Sequence, residues 1–343
     1  MEGFEMGKVK VLTARQAADL TVTLSGFVAN GIAEALNAAA EERFLETGHP
    51  KDLTLFWVAG TGNKDGSHAD HYAHEGMVKK VIGGHFNFVP KICEMLSENK
   101  IEGYNVPQGA IAQMLRDNAA RKVGTISHVG IGTFADPRNG GGRLSEKTKE
   151  DIVKIIELEG QEQLFYPRIP LDVAFIRGTY ADELGNITLE KEMAPLDATS
   201  QAMAVHNNGG LVVVQVERVV KAGHLDPKLV KIPGIYVDAV VECPADDPKQ
   251  SQSINCTYDP AYAGNTQVPV SSLEPKKLDA KKIIGRRAAM ELKKNVVVNL
   301  GVGVPEWVSS VAAEEGVADE MTLTVECGPV GGVPGGGLRF GGS

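Results

Sequence analysis

The chain has 343 residues, of which 43% are hydrophobic and 23% charged, and it carries a formal net charge of -9. This length predicts two domains, each large enough to bury a core of its own. The negative charge argues against a nucleic-acid partner, which would need a basic face, and no apolar run reaches the roughly 18 residues of a membrane span.

The cysteines and the first residues indicate the compartment. The four cysteines include no Cys-x-x-Cys pair, so neither a zinc site nor a disulfide framework is indicated. The N-terminal residues have no apolar stretch of the kind that a signal peptide needs. We therefore expect a cytoplasmic protein without a membrane segment.

Short strands, glycine turns and helices alternate along the chain. Residues 9–20 predict a short strand and a helix, Thr21–Leu24 a strand, Ser25–Gly31 a turn, and Ile32 to about Phe44 a helix. Further apolar or β-branched runs predict strands at Leu53–Val58, Val78–Ile82, Val123–Ile126, Val173–Ile176 and Leu211–Val216. This alternation predicts an α/β fold with a largely parallel sheet, whose ligands bind at the carboxyl ends of the strands.

The end of the chain resembles its beginning. Residues 244–281 are polar and rich in turn residues, and we interpret them as a connection between a first domain, residues 1–243, and a second, residues 282–343. After the connection, three segments match the start in the same order: Gly285–Leu292 matches Ala14–Leu20, Val296–Gly301 matches Thr21–Gly26, and Met321–Cys327 matches Leu53–Gly60. We therefore expect two similar open α/β halves, related as an internal repeat.

The repeat raises two questions about completeness. The second half stops at Ser343, which would leave unpaired strand edges, so we expect the native polypeptide to continue or a second chain to complete it. The first copy also passes from the predicted helix at Leu20 to the strand at Thr21 without a turn. A helix needs a connection there, and we expect that a few residues are absent at this point.

A single carboxylate follows the last predicted strand. Met321–Val325 is an apolar and β-branched run, Glu326 follows it, and a loop rich in glycine and proline comes next. A carboxylate at the tip of a buried strand, beside glycines that admit a substrate, has the placement of a nucleophile. The alternative is a solvated charge at a strand end. The first copy has Ala59 at this position, and the difference favours the functional interpretation.

Two further segments could stabilise a negative charge. Gln108 stands between a proline and a glycine at a helix entry, where its amide could donate to an oxyanion; the alternative is a capping or solvent-facing glutamine. The turn Gly301–Pro305 joins a strand to a helix, and its N–H groups could bind a phosphate or an oxyanion. Glu306 stands where a GxGxxG motif would have its third glycine, and the alternative is a tight strand–helix turn.

His68, His71 and His74 are spaced at i, i+3 and i+6. On an α-helix two of them could share a face and bind a metal, but the third lies well round the helix and the spacing is not that of His-Glu-x-x-His. We therefore interpret them as polar surface histidines and predict no metal site.

Together these segments resemble the class I (family I) coenzyme A transferases, especially the propionate, acetate and 3-oxoacid branch. The resemblance runs along the whole chain. It is carried by Ser25–Gly31, Tyr104–Gly109, Gly130–Arg138, Gln163–Tyr166, Arg177–Ile187, Ala204–Gly210, Asn299–Pro305 and Thr324–Gly332.

The resemblance implies two similar α/β halves with the active site between them, coenzyme A (CoA) as a substrate and no permanently bound cofactor. The family's catalytic glutamate falls on Glu326, which would carry a glutamyl-CoA thioester, and its oxyanion-hole glutamine falls on Gln108. The substrate pocket would be formed by Phe27, Val28, Asn30, Gly60 and Gly62. The loops for CoA or the oxyanion would contain Gly301, Gly303 and Gly331.

The implied reaction moves CoA between propionyl-CoA or acetyl-CoA and an acceptor such as acetate, propionate, lactate or a 3-oxoacid. The propionate branch favours propionate, acetate or lactate over acetoacetate. The alternatives are a short-chain acyl-CoA hydrolase and a non-catalytic CoA-binding module. The family's proteins continue with the rest of the second half, so a chain that ends at Ser343 should be inactive alone. We expect a homodimer or homotetramer.

Overall fold

The computed structural model describes residues 21–269, 272–325 and 328–339. The strand and helix predicted within residues 9–20 lie outside this part of the chain. The described residues form two compact units, one that runs to Leu189 and resumes at Pro195–Gln250, and one of Glu190–Ala194 with the residues from Ser251 onward. Most of the segment predicted as a connection thus belongs to the second unit. No helix of the described residues has the length and apolar character needed to cross a bilayer.

The first unit alternates strands and helices, as its sequence predicts. Its strands are β1 (Thr21–Leu24), β2 (Leu53–Trp57), β3 (Val78–Gly83), β4 (Glu102–Asn105), β5 (Gly124–Ser127), β6 (Lys154–Leu158), β7 (Gln161–Pro167), β8 (Val173–Arg177), β9 (Tyr180–Asp182), β10 (Ile187–Thr188), β11 (Leu211–Val216), β12 (Arg218–Val220), β13 (Val230–Ile232) and β14 (Ala239–Glu242). Its α-helices are α1 (Glu34–Thr47), α2 (Pro90–Ser97), α3 (Gln108–Ala119) and α4 (Ala198–Asn207).

A parallel sheet organises this unit. Among the described residues its strand order is β14-β11-β8-β1-β2-β3-β4, and each neighbouring pair is parallel. The predicted α/β fold with a parallel sheet is therefore confirmed. β1 lies where the chain order reverses, between β2 and β8, which is the position at which open α/β sheets bind ligands.

Both faces of the sheet are covered. Leu53, Leu55 and Trp57 of β2 enter one apolar cluster, whereas Phe56 enters another on the opposite face. Alternate side chains of a strand point to opposite faces, so a strand buried on both sides reads as a continuous apolar run. This is why the central strands can be predicted from the sequence.

The strand predicted at Val123–Ile126 does not join the parallel sheet. It forms β5, which pairs antiparallel with β7 in a small sheet of order β5-β7-β6. Val123 is 81% exposed and Ile126 48%. A half-exposed strand suits an antiparallel sheet with one face in water, and the run lacks the length of apolar sequence that a doubly covered strand needs.

Helix α1 begins and ends later than the sequence predicts. It runs from Glu34 to Thr47, and Gly48 ends it in the left-handed conformation at φ 69°, where its N–H donates to the Phe44 carbonyl. A glycine in this position terminates a helix because it adopts positive φ without steric cost.

The second unit contains a smaller strand–helix–strand element. Its helices and strands are α5 (Ala280–Ala289), β15 (Val297–Leu300), α6 (Glu306–Glu314) and β16 (Thr322–Val325). β15 and β16 are parallel, with Leu300 opposite Val325. Buried Leu300, Val308, Leu323 and Val325 form its core. The order β15–α6–β16 repeats β1–α1–β2, so the two matched pairs that lie within the described residues have the same local topology in both units.

Replacing a leucine of β2 tests the covered sheet. Leu55 is fully buried, so Leu55→Ala should lower the free energy of unfolding by about 2–5 kcal/mol. Leu45 on α1 is 65% exposed, and Leu45→Ala should change it by less than about 0.5 kcal/mol. Urea denaturation measures both values; equal losses for the two variants would contradict the assignment of the core.

Candidate active site

Two loops meet at the carboxyl ends of β1 and β2. We call residues 25–33 the β1 loop and residues 58–67 the β2 loop. The Val28 N–H donates to the Gly60 carbonyl at 2.6 Å, and the Gly62 N–H donates to the Val28 carbonyl at 2.9 Å. Phe27 and Asn30 exchange two backbone bonds of 2.9 Å within the β1 loop. The structure thus brings together the five residues that the sequence assigns to a substrate pocket.

Val28 holds an unusual backbone conformation at the centre of this contact. Its φ is 54°, in the left-handed region, although it is β-branched. Such a residue is strained by about 1–3 kcal/mol and persists only where its surroundings hold it. Here the two backbone bonds to the β2 loop supply that restraint.

Two buried polar side chains of the loops have no hydrogen-bond partner among the described residues. Asn30 is 3% exposed, and both atoms of its amide are unpaired; Thr61 is fully buried with an unpaired hydroxyl. A buried polar group without a partner costs about 1–3 kcal/mol. Asn30 and Thr61 are therefore suited to receive a polar group of a ligand.

Gly60 and Gly62 are required by close packing within the unit. A Cβ on Gly62 would lie 2.2 Å from the Phe88 carbonyl oxygen, and one on Gly60 would lie 2.7 Å from His85 Nδ1. These glycines therefore let the β2 loop approach the segment after β3. The packing explains both glycines without a bound substrate.

Gln108 is the first residue of α3, directly after Pro107, as the sequence predicts. Its side chain is exposed. It lies beside the carboxyl end of β3, because a Cβ on Gly84 would be 3.0 Å from the Gln108 Cβ. Since the strands are parallel, Gln108 and the two loops lie at the same edge of the sheet.

Glu326 and Cys327 lie outside the described residues. The strand β16 ends at Val325, the residue before Glu326. Beyond them the chain returns along the strand: the Gly328 N–H donates to the Val325 carbonyl at 3.0 Å, and the Gly331 N–H donates to the Leu323 carbonyl at 2.7 Å. The Gly331 amide is thus used within the unit, and the assignment of Gly331 to a loop for CoA or the oxyanion stays a prediction.

The turn before α6 carries a negative charge of its own. Gly301 and Gly303 precede the helix, and the Glu306 N–H donates to the Gly303 carbonyl at 3.2 Å. The Glu306 carboxylate accepts from the Gly337 N–H at 3.1 Å. A carboxylate in the first turn complements the helix dipole, so it competes with any anion that this turn would bind.

His68 and His71 are largely buried, so the prediction of polar surface histidines is wrong for these two, whereas His74 is partly exposed. His68 and His71 lie on a 3₁₀ helix, His68–Tyr72, and His74 follows it. They contact two glutamates of α1 in an alternating chain: His68 Nδ1 to Glu34 at 2.7 Å, Glu34 to His71 Nε2 at 2.9 Å, His71 Nδ1 to Glu41, and Glu41 to His74 Nε2 at 2.6 Å. We call these five residues the His–Glu chain.

The charges of the His–Glu chain support one another. Burial opposes the charged form of each group, but hydrogen bonds and attraction to the histidines hold the pKa of Glu34 at about 2 and that of Glu41 below its usual value. His71 is also penalised by burial, yet its contacts with the two glutamates raise its pKa. Both His71 nitrogens face carboxylates, so the protonated ring, which donates from both, fits the site.

The spacing of the histidines in the sequence could have indicated the His–Glu chain, but only if the segment is interpreted as a 3₁₀ helix instead of an α-helix. A 3₁₀ helix has three residues per turn, so His68 and His71, at i and i+3, share a face, whereas His74 follows the helix and reaches Glu41 from there. Glu34 and Glu41 are seven apart, which is two turns of an α-helix. Within the described part of the chain, no group of three or more His, Cys, Asp or Glu side chains is arranged to hold a metal ion.

Known proteins resemble this chain over most of its length. Residues 14–243 match a protein family whose description is "Coenzyme A transferase". The chain is 41% identical to the acetate CoA-transferase YdiF of Escherichia coli K12 over 98% of its length, and 40% identical to the caffeate CoA-transferase of Acetobacterium woodii over 97%. It spans 64% of each of these relatives.

A solved structure supports the same comparison. The crystal structure of the acyl-CoA transferase YdiF from Escherichia coli O157:H7, a thioester complex with CoA, matches with a TM-score of 0.85 at 40% identity. The match covers 94% of this chain and 62% of that one. The described units therefore have the fold of the corresponding part of that protein.

A glycine substitution in the β2 loop tests its packing. Gly62→Ala should lower the free energy of unfolding by at least about 1 kcal/mol, because the new methyl group collides with backbone at Phe88. Gly109→Ala in α3 meets nothing within 4 Å and should leave stability unchanged or raise it by up to about 1 kcal/mol. Thermal unfolding followed by circular dichroism compares them; a stable Gly62→Ala would show that the loop is looser than described.

Proposed function

We propose, for a chain that belongs to the coenzyme A transferase family, that the whole protein transfers CoA between a short-chain acyl-CoA and a carboxylate acceptor. The observation that carries the proposal is the likeness to an acyl-CoA transferase captured as a thioester complex with CoA. The proposal concerns the complete polypeptide, because the chain spans only part of its relatives.

The nucleophile in this proposal is Glu326. Its carboxylate attacks the thioester carbonyl of the acyl-CoA, and the C–S bond breaks to give an acyl-glutamyl anhydride and the CoA thiolate. The thiolate then attacks the glutamyl carbonyl, which releases the carboxylate of the donor acid and leaves glutamyl-CoA. The acceptor carboxylate runs the same steps in reverse. Position supports this role, since Glu326 directly follows the last residue of β16.

Each attack passes through a tetrahedral oxyanion, and we propose Gln108 as a side-chain donor to it. The placement of Gln108 on the first turn of α3 supports the role, because the helix fixes the position of its Cα at the edge of the sheet where the β1 and β2 loops lie. The family resemblance also assigns backbone amides near Gly301 and Gly303 to CoA or the oxyanion. The Gly331 amide is not included as a donor, since it bonds to Leu323.

We propose that the acyl group binds against the paired β1 and β2 loops. Phe27 and Val28 would limit its size, and the unpaired Asn30 amide would receive a polar atom of the acid. The relatives named acetate and caffeate CoA-transferases differ widely in their acid, so the family alone leaves the acid open. The proposal favours acetate, propionate or lactate because the sequence resembles the propionate branch of the family.

Mass spectrometry of the full-length protein with propionyl-CoA tests the reaction. A covalent mass gain that matches CoA, mapped to the peptide with Glu326, is the expected result. Release of free CoA without an added carboxylate, and without an adduct, would favour the hydrolase. Binding of CoA without any covalent product or turnover would leave a binding module.

Glu326→Gln should fold but form no adduct with propionyl-CoA, because an amide cannot attack the thioester. Intact mass spectrometry and a transfer assay to acetate measure both effects. Glu320→Gln, whose carboxylate contacts Lys294 at 2.8 Å, is the matched control and should retain the adduct. Turnover of Glu326→Gln at the rate of the unaltered protein would remove Glu326 from the mechanism.

Gln108→Ala should still form the adduct but transfer CoA about a hundredfold more slowly, since the loss of one oxyanion donor costs roughly 3 kcal/mol. Gln113→Ala on the same helix removes an exposed amide that bonds to Asp117 and should change the rate by less than twofold. Steady-state rates for both variants decide the point. Equal rates for the two would assign Gln108 a structural role only.

A further inference from the structure

The β1 and β2 loops belong to a closed ring of contacts. At one side Val28 is bonded to Gly60 and Gly62. From there the β1 loop leads into α1, the β2 loop leads into the 3₁₀ helix His68–Tyr72, and the His–Glu chain joins these two helices. Each loop is thus held at two places: by the backbone bonds at Val28, and by the His–Glu contacts of the helix that follows the loop.

Strained residues lie at both closures of the ring. Val28 has a φ of 54° and His68 a φ of 61°, both in the left-handed region. Strain of this kind survives only where other contacts outweigh it, and it is concentrated at functional sites. His68 is held by its ring, which contacts Glu34 at 2.7 Å, and by its backbone N–H, which donates to Glu34 at 3.2 Å.

The His–Glu chain runs from the interior toward the surface. The exposed fraction of the side chain is 10% at His68, 15% at His71 and 30% at His74. The glutamates between them are 17% and 20% exposed. Ion pairs at this depth are screened less than surface pairs, and the loss of one partner leaves a charge with little water to stabilise it.

Other groups around His71 have partners of their own. On the same 3₁₀ helix, Asp70 accepts from the Lys91 and Ile92 N–H groups of α2 at 3.2 and 3.1 Å. The Tyr72 hydroxyl donates to Asn37 of α1 at 3.1 Å. The charge of His71 also favours the ionised form of Asp70, whose pKa is nevertheless raised by burial. Glu34 and Glu41 are the carboxylates that the His71 ring nitrogens contact, so its protonation affects them directly.

We propose that the His–Glu chain is a positioning device, in which His71 and Glu34 hold the β1 and β2 loops in the shape that binds the acyl group. For the identity of the ligand, this inference rests on the proposed function. The coupling between the His–Glu chain and the two loops does not depend on that function. His71 and Glu34 act through Val28 and His68 and do not touch the substrate.

The coupling has a defined pH range. The raised pKa of His71 means that its contribution is complete below the ordinary value of 6.5 and is lost as the pH rises through the raised value. The lowered pKa values of Glu34 and Glu41 mean that their contributions are present above 4.5 and are lost as the pH falls through the lowered values. The loops are therefore held most firmly between these limits.

Hydrogen exchange of the full-length protein tests the coupling without reference to activity. His71→Gln removes the charge, whereas His71→Arg retains a permanent cation between two carboxylates. Protection of the β1 and β2 loops, corrected for intrinsic exchange, should fall at least about tenfold in His71→Gln, because two largely buried carboxylates then lose the cation between them. In the unaltered protein this protection should fall as the pH rises through the raised pKa of His71, and in His71→Arg it should stay constant over the same pH range.

Two controls separate this result from general loosening. His224→Gln alters an exposed histidine and should change nothing. Amides of β11, in the parallel sheet, should keep their protection in all variants. Unchanged protection of the loops in His71→Gln would overturn the proposal. If His71→Gln does not fold, Glu41→Gln serves in its place, since it removes the carboxylate that His71 and His74 contact. Protection of the β1 and β2 loops should fall in this variant too, but less than in His71→Gln. Full protection of the loops in Glu41→Gln would overturn the proposal.

Kinetics test the consequence for binding. In His71→Gln the KM for propionyl-CoA should rise about tenfold while kcat changes less than twofold. His71→Arg should restore the KM, and its KM should stay constant as the pH rises through the raised pKa of His71. If the loops lose protection but the KM for propionyl-CoA is unchanged, the His–Glu chain does not position the acyl site. If the unaltered protein transfers no CoA, the proposed function fails, whereas hydrogen exchange still decides whether the His–Glu chain holds the loops.

Discussion

The site depends on the backbone pairing of Val28 with Gly60 and Gly62. These bonds are short, and they hold a β-branched residue in the left-handed region. The pairing is possible because Gly62 lets the β2 loop lie against the backbone of Phe88. The carboxyl ends of β1 and β2 thus act as one surface. Their positions follow from the parallel sheet, which places both loops at the edge where Gln108 also begins its helix.

The sequence predicts the elements that depend on burial alone. Leu211–Val216 is found at its predicted bounds because a strand covered on both faces must be apolar at nearly every position. The β–α–β order of the second unit follows for the same reason, since Leu300 and Val325 face one core. The family resemblance assigns the role of nucleophile to Glu326, whereas the local pattern alone left open a nucleophile or a solvated charge; this assignment stays a prediction.

What the sequence does not predict depends on contacts between distant segments. The three histidines appear dispersed on an α-helix, yet His68 and His71 share a face of a 3₁₀ helix, and all three contact Glu34 or Glu41, about thirty residues earlier. Gly60 and Gly62 suggest a substrate approach, whereas His85 and Phe88 already require them. In both cases the residue type was informative, but the partner that explains it lies on another element.

The chemistry of CoA transfer gives the His–Glu chain a separable role. In the proposed route every attacking group is an anion and every leaving group is an anion, so no proton is taken up or released in any step. A proton relay would therefore have nothing to deliver to Glu326. A titrating group such as His71 can influence this reaction only through the geometry or the field of the site. The two unusual backbone conformations at Val28 and His68 lie at the closures that such geometry would control. This makes a mechanical role the interpretation of the His–Glu chain that agrees with both its structure and the reaction.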